Sequence, residues 1–138
     1  MYPEEIVIPM KEELTEKGFS ELLTAEAVEK ALAEKGTTLI MINSVCGCSA
    51  GTARPGVLMA VSNAAKKPDH ITPSFAGFDI EAVRKLREHL MPYPPSSPAI
   101  ALFKDGQLVH FIERHNIEGR SARMIADNLI GAFEQYCN

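Results

Sequence analysis

Thr37-Thr38-Leu39-Ile40-Met41-Ile42-Asn43-Ser44-Val45-Cys46-Gly47-Cys48-Ser49-Ala50-Gly51 is the stretch whose reading decides the fold. Thr37–Asn43 is a short β-branched and apolar run, the pattern of a strand buried on both faces. Residues 50–65 read as a helix, with Val57, Leu58 and Val61 on its buried face and Pro55 expected to kink it. Two thiols therefore stand where a strand hands over to a helix N-terminus. Unpaired amides there carry partial positive charge and favour thiolate over thiol. Thiolate is the form that attacks disulfides.

Upstream, Ile6, Met10 and Leu14 predict a helix over 4–17 with Pro9 as a first-turn residue or kink, ended by Gly18. Thr24 can cap a second helix, 25–34, that buries Ala27, Val28, Ala31 and Leu32 and closes at Gly36. Downstream, Pro68-Asp69 is a turn and His70–Phe75 a weak strand interrupted by Pro73. Asp79 can cap a helix over 80–91 with Ile80, Val83, Leu86 and Leu90 inward. Pro92-Tyr93-Pro94-Pro95-Ser96-Ser97-Pro98 is a stiff loop. Ala99–Phe103 and Gln107–Ile112 flank Lys104-Asp105-Gly106, a hairpin turn. A final helix, 121–136, buries Ile125, Leu129, Phe133 and Tyr136, and the methionines at 41, 59 and 124 fit core packing. From residue 37 the order is β-α-β-α-β-β-α. A parallel βαβ half and an antiparallel hairpin make an α/β fold, a four-stranded mixed sheet flanked by helices. Residues 1–36 form a helical extension to a 37–138 core, all within one domain, 1–138.

The chain has 138 residues, 46% of them hydrophobic, enough for a real core. A net charge of −4 argues against nucleic-acid binding. No apolar tract is long enough to span a membrane. Met1-Tyr2-Pro3-Glu4-Glu5 lacks the basic start of a signal peptide, so a cytoplasmic location is expected. Three cysteines in such a chain do not make a structural disulfide framework.

The element order, the cysteines after the first core strand and a proline just before the hairpin resemble the thioredoxin fold. Ser97-Pro98 falls where thioredoxin-like proteins place a cis-proline beside their thiols. Cys46-Gly47-Cys48 departs from the usual Cys-X-X-Cys and points to a narrower family. Asn43-Ser44-Val45-Cys46-Gly47-Cys48-Ser49-Ala50-Gly51 with Ala53-Arg54-Pro55 resembles the bacilliredoxins. So do Pro95-Ser96-Ser97-Pro98 and His110-Phe111-Ile112-Glu113-Arg114-His115-Asn116-Ile117-Glu118-Gly119, and the likeness runs from Ile6–Met10 to Cys137. The resemblance implies that Cys46 is the attacking thiol and Cys48 the second. It implies removal of bacillithiol from bacillithiolated client proteins, with weak disulfide reductase or isomerase activity and no cofactor.

A disulfide between residues i and i+2 closes a small ring, since the Cα atoms must lie about 4.4–6.8 Å apart. Gly47 is the residue best able to take the required backbone angles. The remaining strain makes such a disulfide oxidising and easily reduced. Ser97 and Pro98 could offer the backbone to an extended substrate. Arg54 could lower a thiol pKa, bind a substrate carboxylate, or be a solvated surface charge. Arg114 and His115 read as ordinary loop residues and Cys137 as an inert helix-end cysteine. The rival reading is a metal-binding or metallochaperone module using Cys46 and Cys48. Against it, Cys137, His70, His89, His110 and His115 show no ligand spacing, and no metal site is expected.

Overall fold

The computed structural model describes residues 1–138. The elements run α1 Glu4–Thr15, α2 Ala25–Ala33, β1 Thr37–Asn43, α3 Arg54–Asn63, β2 His70–Phe75, α4 Ile80–His89, β3 Ala99–Lys104, β4 Gln107–Ile112, α5 Arg114–Ile117 and α6 Ala122–Tyr136. The four strands order as β2-β1-β3-β4. β1 is parallel to β2 and antiparallel to β3, and β3 and β4 form the hairpin. This is the expected thioredoxin-like α/β arrangement.

The apolar run of β1 is unbroken because both faces of the sheet are covered, and every residue of β1 is buried. Leu39 and Met41 join a core with Val57 of α3 and Leu129 and Phe133 of α6. Ile40 and Ile42 point the other way, to Val28 and Leu32 of α2 and Val83 and Leu86 of α4. Residues ahead of β1 enter both layers: Leu14 and Phe19 pack with the first core, Leu22 and Val28 with the second. α3 and α6 meet closely at Gly56, where a Cβ would lie 2.8 Å from Ile125 Cβ and 3.1 Å from the Ala122 carbonyl oxygen.

Pro73 does not break β2, because β2 is an edge strand. The Leu22 N–H donates to the Pro73 carbonyl and the Ser20 N–H to that of Ile71. The outward side of β2, where Pro73 lacks its N–H, is thus covered by the segment between α1 and α2 rather than by a further strand.

Several helix faces differ from expectation. Ile80 was expected inward and is 43% exposed. Ala82, Val83, Leu86 and Leu90 set the buried stripe, and at 3.6 residues per turn Ile80 sits about 100° from its centre. The same offset leaves Ile6 exposed beside buried Val7, and Met124 exposed beside buried Ile125. Asp79 precedes α4 without capping it. Its carboxylate instead accepts from the Phe75 N–H and from Lys11 Nζ, each at 2.9 Å, and ties α1 to the end of β2. The helix expected over 50–65 is two pieces: a π-helical turn, Ser49–Ala53, then α3 with Pro55 in its first turn. The helix type changes just ahead of Pro55, which therefore falls in the first turn of α3, where a proline's missing N–H costs nothing.

Candidate active site

The sheet register brings three segments to one edge. Asn43 pairs with Phe75, Ile42 with Ala99, and Ile100 with Ile112. Continuing each ladder sets Pro98 beside Asn43 and Arg114 beside Pro98. The loop after β1, the peptide before β3 and the start of α5 therefore share the C-terminal end of β1. The Ser97–Pro98 peptide is cis, as the resemblance implies, and so is Met91–Pro92.

The loop after β1 is held from beneath. Asn43 is buried, and its Oδ1 accepts from the Ser44 N–H, Ser49 Oγ and Arg54 Nη1. The same Nη1 donates to the Ser44 carbonyl at 3.0 Å and to Ser49 Oγ at 3.1 Å. The Ser44 hydroxyl then accepts from the Cys46 N–H at 3.1 Å. Arg54 is thus neither a surface charge nor free to bind a substrate: it is 1% exposed. Its Nε lies 3.1 Å from Glu13 Oε1 of α1, close enough for ion pairing but not aligned for a hydrogen bond. Nothing in the local sequence distinguished this arginine from a solvated one, because its counter-ion lies on a helix far upstream.

The two thiols face each other, half-buried and not joined, with their sulfurs 2.8 Å apart. The hydrogen bond from Cys48 holds the Cys46 thiol below its ordinary range. Burial opposes that shift, while the N–H groups of Cys48 and Ser49 and the charge of Arg114 reinforce it. Cys48 is pushed up to about 11 by burial, then by its bond to Cys46 and that neighbour's charge. The pair is polarised: Cys46 is the thiol that ionises first, and Cys48 is the one that holds its proton. Gly47 is exposed, with an ordinary φ and open space where a Cβ would stand. The reduced loop therefore does not itself demand glycine there.

Arg114, read from sequence as an ordinary loop residue, belongs to this edge. Its Nη1 donates to the Ser97 carbonyl at 3.3 Å, its N–H to Ser96 Oγ at 3.4 Å, and its Nε to Glu118 Oε1 at 2.6 Å. The strand after the hairpin runs straight into α5, a four-residue helix whose length gave no periodic signal. Cys137 is buried, and burial pushes its thiol up. It lies by Thr37 at the opposite end of β1, roughly 20 Å from the pair at 3.3 Å per strand residue. The histidines do not converge, and no three His, Cys, Asp or Glu side chains are grouped to hold a metal ion.

A family model described as Disulphide isomerase matches residues 2–137. A bacilliredoxin of Cytophaga hutchinsonii is 60% identical over 135 residues, covering 98% of this chain and 99% of that protein. A bacilliredoxin of Geobacillus kaustophilus is 48% identical over 137 residues, covering 99% and 94%. Among solved structures, oxidised mitochondrial thioredoxin 3 of Saccharomyces cerevisiae superposes with a TM-score of 0.56 at 14% identity, covering 86% of this chain and 96% of that one. Oxidised thioredoxin O2 of Arabidopsis thaliana gives 0.54 at 18% identity, covering 87% and 95%. The structural likeness shows the fold, and the sequence likeness spans nearly the whole chain: this protein belongs to the bacilliredoxin family of thiol–disulfide oxidoreductases.

Proposed function

We propose that the protein removes bacillithiol, or another small thiol such as glutathione or coenzyme A, from mixed disulfides on client proteins in the cytoplasm. The observation that carries this is the polarised thiol pair, Cys46 pushed down and Cys48 pushed up, with 2.8 Å between their sulfurs.

The Cys46 thiolate attacks the small thiol's sulfur. The sulfur–sulfur bond to the client breaks, the client leaves as a thiolate that takes a proton, and the small thiol stays on Cys46. Cys48 is a poor nucleophile while Cys46 is charged, because that charge and the shared hydrogen bond keep it protonated. Bonding of Cys46 removes both, leaving burial as the main opposition to ionisation. Cys48 is thus a better nucleophile after the first attack than before it, with burial, the largest cause of its high value, still opposing ionisation. Its attack on Cys46 sulfur expels the small thiol and closes the Cys46–Cys48 ring. Two further small thiols reopen that ring and leave as their own disulfide. Alternatively, a second small thiol attacks the first directly and frees the Cys46 thiolate. The strain expected of a ring spanning only Gly47 suits exchange and weak isomerase activity better than strong reduction. Ser97 and Pro98, carried beside Asn43 by the β1–β3 register, would offer their backbone to the client.

Intact-mass analysis after incubation with oxidised bacillithiol tests the roles. The adduct is expected to be absent in Cys46→Ser and to accumulate in Cys48→Ser. Equal adducts on wild type and both variants would refute the assignment.

A further inference from the structure

Arg114 presents its guanidinium beside the thiols under light restraint. Its side chain is 45% exposed, and its carboxylate partner Glu118, one turn on, is more exposed still. An exposed i,i+4 pair of this kind is weak. Arg54, which anchors the loop, is enclosed. Arg114 instead bridges the Ser97 carbonyl and Glu118 at the edge where Pro98 and Asn43 meet. Its charge reaches both sulfurs.

We propose that Arg114 is a specificity-determining residue that exchanges Glu118 for a carboxylate on the small thiol, so that the site prefers mixed disulfides of anionic small thiols. This rests on Cys46 being the attacking thiol. The planar guanidinium fork matches a carboxylate, and Glu118 accepts from one nitrogen of that fork, Nε, in the resting protein. The bond to the Ser97 carbonyl holds the other edge of the guanidinium at the peptide before Pro98, which the sheet register sets beside Asn43. The same bond uses one lone pair of the Ser97 carbonyl and leaves the second to an extended client backbone. The small-thiol half of the mixed disulfide therefore finds a charged partner in Arg114, and the peptide half does not compete for it. Arg114 forms only an ion pair, and the bonds made and broken are those of the exchange itself.

The test uses one client protein whose single thiol is capped with 3-mercaptopropionate or with 2-mercaptoethanol. The caps are similar in size and differ in the carboxylate. Release of the client thiol is timed with reduced wild type, Arg114→Gln and Glu118→Gln. Wild type is expected to favour the carboxylate cap about fivefold, the ratio a half-exposed ion pair supports. Arg114→Gln should bring that ratio close to one, and Glu118→Gln should raise it by removing the competing carboxylate. Because Arg114 also favours the Cys46 thiolate, its loss slows both caps, and only the ratio reports recognition. Equal slowing with an unchanged ratio, or a wild-type ratio of one, would overturn the proposal and leave the exchange chemistry standing. No release from either cap by wild type would overturn the Cys46 reading and this proposal together.

Discussion

Replacing Arg54 by Met asks whether the buried guanidinium, rather than the loop sequence itself, aims Cys46. Methionine is unbranched and of similar length, so it fills most of the space. Three acceptors share the Nη1 of Arg54: Asn43 Oδ1 at 2.8 Å, the Ser44 carbonyl at 3.0 Å and Ser49 Oγ at 3.1 Å. Hydrogen bonds from a charged donor are worth about 1.5–3 kcal/mol each, but three sharing one nitrogen do not add. The variant also escapes the several kcal/mol, roughly, that burying a guanidinium costs. Asn43 Oδ1 keeps the Ser44 N–H and Ser49 Oγ as donors, so the group that suffers is the Ser44 carbonyl. Leaving such a buried acceptor without its donor costs about 1–3 kcal/mol. If the lost charged hydrogen bonds and the escaped desolvation cancel, the Ser44 carbonyl leaves a net loss of about 2 kcal/mol, which at an unfolding entropy of about 2.1 cal/mol/K per residue lowers Tm by roughly 7 °C.

The functional half of the prediction is read from alkylation of Cys46 by iodoacetamide across pH. Cys46 is held low partly by the N–H groups of Cys48 and Ser49, and those groups keep their aim only while Ser44 and Ser49 stay anchored to Arg54. Arg54→Met should therefore raise the alkylation midpoint as well as lower Tm. Glu13→Gln is the control. Glu13 is half-exposed, and the amide of the variant keeps an oxygen facing Arg54 Nε, so the cost should stay below about 1 kcal/mol. A melting temperature that falls while the alkylation midpoint stays fixed would refute the reasoning. So would a Glu13→Gln loss as large as that of Arg54→Met.

Two further outcomes follow from the thiol pair. Cys48→Ala removes the largest cause of the low Cys46 value and should move its alkylation midpoint up, whereas Cys48→Ser keeps a donor and should move it less; identical midpoints in the two variants would count against the hydrogen bond. Reduced protein should also show a two-sided dependence of stability on pH. Folded Cys46 loses its proton below the ordinary thiol value of 9.0, so its contribution is complete above 9.0 and disappears as pH falls through the folded value. Folded Cys48 keeps its proton up to about 11, so stability falls between 9.0 and 11 as the unfolded chain ionises first. Anaerobic urea unfolding of wild type minus a Cys46→Ser/Cys48→Ser double variant should peak near pH 9, and a flat difference would contradict both shifts.

The sheet was legible because its signals are local. The unbroken apolar run of β1, the turn at Asp105-Gly106 and the period of α6 each lie within a few adjacent residues, and each element is found with bounds close to those expected. Where the reading of faces failed, it failed by one residue. Ile6 against Val7, and Met124 against Ile125, are neighbours in an apolar pair, and which member turns inward depends on where the helix lies on the sheet. Periodicity identifies the stripe, and packing fixes its phase. Asp79 shows the same limit at a helix end: the residue type suits a cap, but the carboxylate is taken by Lys11 and the Phe75 N–H.

The site divides along the same line. Cys46, Gly47 and Cys48 declare themselves because their chemistry is contained in three consecutive residues. The two arginines do not, because an arginine's role is set by the partners that surround its charge, and these lie elsewhere in the chain. Arg54 is enclosed by Asn43, Ser44 and Ser49 from the loop and approached by Glu13 from α1. Arg114 lies beside Pro98 only because the β3–β4 ladder continues past Ile112. One charge is buried under the loop and fixes its backbone, while the other stands exposed beside the sulfurs and is free to change partners. Sequence alone offers one arginine soon after the motif and another far along the chain. The separation into an anchoring residue and a recognising one follows from burial, and exchanging their neighbours should exchange their roles.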